Sequence, residues 1–138
     1  MGPDLEANKR LVRDFFEAIY NRGEYHRVRE FLAEAYRNHN GFGFAVMSPD
    51  DIARFAEMQR RAFPDLHSTL DDVVAEGDRV VVRGHDDATH LGEFMGYPPT
   101  GKPVRFTWLD MFRVEGGRLA ESWMETDSEA MHRQLRGE

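Results

Sequence analysis

A chain of 138 residues with 41% apolar content and no cysteine can build a hydrophobic core unaided, and it excludes disulfides, thiolate metal sites and a cysteine nucleophile. The net charge of −7, from 18 basic and 25 acidic residues, disfavours phosphate binding, and no basic stripe or motif points to nucleic acid. Met1 to Arg13 is charged and lacks a signal-peptide core, and no apolar run reaches the ~18 residues of a membrane span, so the expected setting is cytoplasmic, with no membrane partner.

Pro3 and Asp4 open a helix predicted over Leu5 to Tyr20, with Asp4 as N-cap. Leu11, Val12, Phe15, Phe16 and Ile19 form its apolar stripe, and Asn21-Arg22-Gly23 ends it. A short second helix carries Tyr25, Val28, Phe31 and Leu32 on one face, and Tyr36 to Asn40 leaves it as an extended segment. The third helix is capped by Ser48, with Pro49 in its first turn and Asp50 and Asp51 at the positive end of the dipole. Ile52, Phe55, Met58, Ala62 and Phe63 give its inner face, and Pro64 ends it.

Strands follow. His67 to Glu76 and Arg79 to His90 flank a tight turn at Gly77-Asp78, which pairs Val73 with Val82 and Asp72 with Arg83. A glycine- and proline-rich loop runs from Gly92 to Lys102. Pro103 to Val114 and Arg118 to Thr126 form a second hairpin, with Glu115-Gly116-Gly117 predicted as a three-residue turn. With that turn, Trp108, Asp110, Ser122 and Met124 point the same way; a two-residue turn would put Asp110 and Met124 on opposite faces. Ser128 is the expected cap of a final helix ending near Arg136, with Asp127 as its neighbour. No repeat or linker divides the chain, so residues 1–138 are expected to form one domain. Helices followed by strands predict an α+β fold, a curved antiparallel sheet of four core strands with three N-terminal helices on its concave face. Such a cone leaves a cavity at its open end.

Ala62-Phe63-Pro64-Asp65, Glu76-Gly77-Asp78-Arg79-Val80 and the run Thr89-His90-Leu91-Gly92-Glu93-Phe94-Met95-Gly96-Tyr97-Pro98-Pro99-Thr100-Gly101-Lys102 resemble SnoaL-like polyketide cyclases. Phe112-Arg113-Val114, Gly117-Arg118-Leu119 and Glu121-Ser122-Trp123 continue the likeness, which spans Asn8 to Asp127. The resemblance implies a nuclear transport factor 2-like cone, assembled as a homodimer or tetramer, and an intramolecular aldol ring closure without metal or cofactor. In the family an aspartate of the last strand is the acid/base; aligned through the Gly117-Arg118 turn, that position is Met124 here. A thioether transfers no proton. The neighbouring-strand polar position is Asp110, and the substrate-binding asparagine falls at Asn38 or His39.

Asp110, between Trp108 and Phe112, reads either as an acid/base residue in a cavity or as a carboxylate tied to a nearby donor. Asn38-His39-Asn40 reads as a substrate-orienting cluster or as turn chemistry. The expected catalytic pair is Asp110 and His39, with Asn38, Trp108, Ser122, Met124, His90 and Phe16 around a hydrophobic small-molecule ligand. His85, Asp86, Asp87 and His90 alternate between faces, which argues against a metal site. Asp86 stands where relatives are apolar; a second buried carboxylate beside Asp110 is one reading of it. Leu109, Met111 and Trp123 give an outer sheet face expected to pair two copies. The expected function is a cofactor-independent enzyme of polyketide or secondary metabolism, performing aldol-type cyclisation or acid/base isomerisation of a carbonyl compound. The alternatives are a non-catalytic ligand-binding protein of the same fold and an epoxide hydrolase-like enzyme.

Overall fold

The computed structural model describes residues 3–39 and 46–138. The N-cap Asp4 accepts a hydrogen bond from the Ala7 amide at 3.0 Å and opens α1, Leu5–Phe15. The predicted helix then changes pitch: Phe16–Asn21 is a π-helical turn, closed by the Arg22 amide donating to the Glu17 carbonyl at 2.9 Å. Its last carbonyls, those of Tyr20 and Asn21, accept from the Arg60 guanidinium, which holds the wide turn in place. Gly23, at a φ of 69°, lets the chain reverse. The second helix is a 3-10 turn, Tyr25–Arg27, running into α2, Val28–Phe31.

The extended segment expected from Tyr36 begins earlier, as β1, Leu32–His39. Asn40 lies outside the described residues. A short β2, Val46–Met47, precedes α3, Pro49–Ala62, where Ser48 and Asp51 form a capping box. Strands β3, His67–Glu76, and β4, Arg79–Thr89, pair as predicted, Val73 with Val82 and Asp72 with Arg83. Strands β5, Pro103–Glu115, and β6, Arg118–Thr126, complete the sheet, and α4, Ser128–Leu135, follows. Asp127 rather than Ser128 caps α4, its carboxylate accepting from the Ala130 amide at 3.0 Å.

The fold is α+β, as expected, with a correction to the sheet. Among the described residues it has six strands in the order β2-β1-β6-β5-β4-β3, and β1 runs parallel to β6 while every other pair is antiparallel. The extended segment after α2 thus joins the sheet alongside β6. The inner faces of β4, β5 and β6 present Val80, Val82, Val104, Phe106, Phe112 and Leu119 to the helices, and Phe15 meets Phe112 edge-on at 6.1 Å.

The second hairpin departs from the predicted turn. Glu115 faces Arg118 across a two-residue Gly116-Gly117 turn, with φ of 59° and 75°. Two successive positive φ values are what a type I′ turn requires. The register nevertheless recovers: Val114 faces Leu119 but Arg113 faces Glu121, so Ala120 is an extra, bulged residue. Beyond the bulge Phe112 faces Ser122, Asp110 faces Met124 and Trp108 faces Thr126. The shared face follows from turn and bulge together.

Gly84, opposite Trp108 in the ladder, leaves the space the indole fills: a Cβ there would stand 2.6 Å from both the indole and the Thr69 carbonyl oxygen. Gly84→Ala is expected to cost about 1–3 kcal/mol through overpacking. Urea unfolding followed by tryptophan fluorescence checks this, and an unchanged midpoint would count against the fit.

Candidate functional site

Between the helices and the inner sheet face lie two small cavities, of about 40 and 30 Å³. Tyr20, Asp110 and Met124 line both. Asp86, Trp108 and Gln59 border one, and Tyr36, Asn38 and Phe112 border the other. Each is the size of a water site rather than a ligand site.

Asp110 is buried, and its Oδ1 has no hydrogen-bond partner among the described residues. Burial pushes its pKa well above the ordinary carboxylate value. The reading of Asp110 as a carboxylate tied to a donor therefore gives way to an unpaired acid at a cavity wall. Met124, its cross-strand neighbour, faces the same space, as the shared face predicted.

Ser122 is fully buried beneath the second cavity. Its Oγ lies 2.5 Å from the Tyr36 hydroxyl and accepts from Asn38 Nδ2 at 2.6 Å. Asn38 Oδ1 is left without a partner. Burial, followed by the charge of Asp110, raises the Tyr36 phenol. Phe16 stacks on Trp108 at 5.0 Å with the ring planes 5° apart. The Trp108 indole donates to Asp86 Oδ1 at 3.1 Å, and Ser68 Oγ donates to the same oxygen at 2.5 Å. Burial lifts Asp86 to about 6, held there by these two donors.

Six of the eight expected site residues converge: Asp110, Asn38, Trp108, Ser122, Met124 and Phe16. Two do not. His39 alternates with Asn38 along β1 and so faces the outer side, where Nε2 lies 2.8 Å from Glu121 Oε2 and the ring stacks on Trp123 at 5.5 Å. His90 is buried at the end of the Gly92–Lys102 loop, against Phe63. Its Nδ1 accepts from the Thr100 amide at 3.3 Å, so the ring is neutral, and burial lowers its pKa. Neither ring lines a cavity.

Tyr20, Tyr36, Gln59 and Ser68 were not singled out from the sequence. Tyr36 had a signal, since it stands two residues from Asn38 on one face of a strand. Gln59 had one too, as a polar residue on the buried stripe of α3. Tyr20 and Ser68 had none, because the π turn and the helix-to-sheet packing bring them in.

A larger recess of about 540 Å³ lies on the outer sheet face, but most of its charged side chains are held in pairs: His85 with Asp71 at 2.8 Å, Arg83 with Asp72 at 2.7 Å and Arg105 with Asp87 at 2.7 Å. The unpartnered buried groups are inside, and the candidate site is placed there. Among the described residues no three His, Asp or Glu side chains form a metal-holding group, no arginine lines either inner cavity, and no helix is long and apolar enough to cross a membrane.

Both buried carboxylates bind protons more tightly in the folded than in the unfolded chain. The stability this gives is full below a pH of about 4 and is lost as pH rises through the folded values, about 6 for Asp86 and well above the ordinary carboxylate value for Asp110. Stability should therefore fall with rising pH, by at most about 1.4 kcal/mol per pH unit for each group. Asp110→Asn should flatten this curve in urea titrations between pH 4 and pH 9; an unchanged slope would show that Asp110 is not a buried acid.

The comparisons agree with this architecture. A search of curated proteins finds no match. The solved structures of similar fold include TsrD from Streptomyces laurentii, 29% identical with a TM-score of 0.85, covering 96% of this chain and 97% of that one. IdmH from Streptomyces antibioticus, a candidate polyketide cyclase, is 30% identical with a TM-score of 0.80 over 93% of this chain and 97% of its own. AclR from Streptomyces galilaeus, a candidate hydroxylase, is 27% identical with a TM-score of 0.84 over 98% of this chain and 99% of its own. The family model of the SnoaL-like polyketide cyclases matches residues 10–135, and the chain belongs to that family.

Proposed function

We propose that the protein is a cofactor-independent acid/base enzyme acting on a carbonyl compound, by aldol-type cyclisation or a related isomerisation, with Asp110 as a proton-transferring residue. The single observation that carries this reading is the unpaired, buried Asp110 carboxyl at the wall of both inner cavities. Burial without a donor favours the protonated form of this carboxyl, which can then protonate a carbonyl oxygen as negative charge develops on it. Asn38, with its free Oδ1, and the Tyr36–Ser122 pair supply the polar contacts that orient a substrate. Phe16, Trp108 and Phe112 supply its apolar walls. Met124, Tyr20 and Asp110 separate the two cavities, and the unbranched Met124 thioether is the partition most readily moved to admit a ligand. The proposed setting is cytoplasmic, as one domain, paired into a homodimer through the outer face that carries the 49%-exposed Leu109.

A second reading is favoured by Met124: a family member without the usual last-strand acid that binds a small ligand and does not turn it over. The two separate on a panel of small compounds carrying an activated methylene and a ketone at ring-forming distance. The enzyme reading expects ring closure, lowered by Asp110→Asn by a factor on the order of 10²–10⁴ with the fold retained. Binding of the panel without closure, and closure gained only in Met124→Asp, would establish the binding protein.

A further inference from the structure

The reading above uses one buried carboxylate, and the same cavity holds a second. Asp86 lies on β4 and borders the cavity of about 40 Å³ together with Asp110. Its surroundings are built for it. Ser68, its partner across the β3–β4 ladder, donates to Oδ1 at 2.5 Å. The Trp108 indole donates to the same oxygen at 3.1 Å, and Gly84 is what leaves room for that indole. Oδ2 accepts no hydrogen bond among the described residues. One oxygen is thus anchored and the other is free.

We propose that Asp86 is a second catalytic carboxylate: its free oxygen is the base that takes a proton from the substrate carbon, while Asp110 is the acid that protonates the carbonyl oxygen. This rests on the acid/base reading given above and divides its labour. The division follows from the donors. Two hydrogen bonds to Asp86 favour its anion, whereas Asp110 Oδ1 receives none and keeps its proton. Burial without a donor favours the protonated carboxyl at Asp110, while the two donors pull Asp86 back to about 6, so the two environments push the acids toward different roles.

The chemistry balances on these two groups. Asp86 removes a proton from the carbon beside a ketone. The C–H electron pair forms the enol double bond, and the carbonyl oxygen takes the proton of Asp110. In ring closure, Asp110 takes the enol proton back, the enol carbon bonds to a second carbonyl carbon, and that carbonyl oxygen takes the proton held by Asp86. Both carboxyls return to their starting states, and no oxidant or reductant is consumed.

The test uses the full chain and 5-nitrobenzisoxazole, in which loss of the C–H proton to a base breaks the N–O bond and releases a stable phenolate. No acid is needed, so the probe isolates the base. The wild type should exceed an equal concentration of free acetate, with a rate that rises with pH through about 6. Asp86→Asn should lower the rate by a factor on the order of 10²–10⁴ and remove that pH limb; its Oδ1 still accepts from Ser68 and Trp108. Asp110→Asn should keep the limb. Ser68→Ala, which removes one donor, should move the limb to higher pH, a shift that a merely structural role would not produce and that can be read even if Asp86→Asn fails to fold. If Asp110→Asn removes the limb and Asp86→Asn keeps it, Asp110 is the base and the division is wrong while the acid/base reading stands. If the wild type does not exceed acetate, or neither variant changes the rate, the acid/base reading falls with it.

Discussion

The register of β5 against β6 decides which side chains face the helices. It is set at two places: the Gly116-Gly117 turn, which fixes Glu115 against Arg118, and the bulged Ala120, which shifts the pairing by one residue. Without the bulge, a two-residue turn would send Met124 and Ser122 to the face opposite Asp110, because strand side chains alternate. With it, Asp110, Ser122 and Met124 share the inner face. The polar contacts on the β6 side follow from that shift: Ser122 faces Asn38 of β1, and Met124 stands across from Asp110, which meets no donor.

The inner face carries more polar chemistry than a core of this size needs. Asp86, Asp110, Asn38, Ser122, Ser68 and Gln59 are all buried. Burying a carboxyl without a partner costs folding free energy, and the chain bears that cost at Asp110. The surrounding packing is correspondingly dense: Phe15, Phe16, Trp108 and Phe112 interlock edge-on and face-on at 5.0 to 6.1 Å. A framework this rigid holds an unfavourable group in place, and unfavourable groups held in place concentrate where a protein acts on a ligand. The outer face is different in kind. There, ion pairs such as Arg83–Asp72 and Arg105–Asp87 are solvated and contribute little to stability.

Membership of the SnoaL-like family gives the architecture, but this chain fills it with its own residues. Met124 occupies the place that the sequence resemblance assigns to the usual acid, and buried carboxylates stand at Asp110 on the adjacent β5 and at Asp86 on β4, one strand further. The carboxyls on β5 and β4 lie on the same face of the same sheet as Met124. The cavity is then lined by carboxyls on its β4 and β5 side and by a flexible thioether on its β6 side, with Tyr20 and Gln59 approaching from the helices.

The sequence by itself determined whatever depends on local chemistry. The Ser48 and Asp4 caps, the stripe of α1 and α3, the Gly77-Asp78 turn with its Asp72–Arg83 pairing, and the alternation that puts Trp108 and Asp110 on one face all follow from residue type and spacing. Strand alternation in β1 was legible too, and applied to Asn38 and His39 it separates them. Only the tertiary structure decided the rest. That the segment from Leu32 joins the sheet parallel to β6, that Ala120 bulges, and that Arg60 stabilises a π turn which presents Tyr20 are settled by partners far away in the chain. So is the pairing of Asp86 with Ser68 and Trp108 while Asp110 goes without. A carboxylate's neighbours are fixed by how strands and helices stack, and no spacing along one strand encodes which donors will reach it.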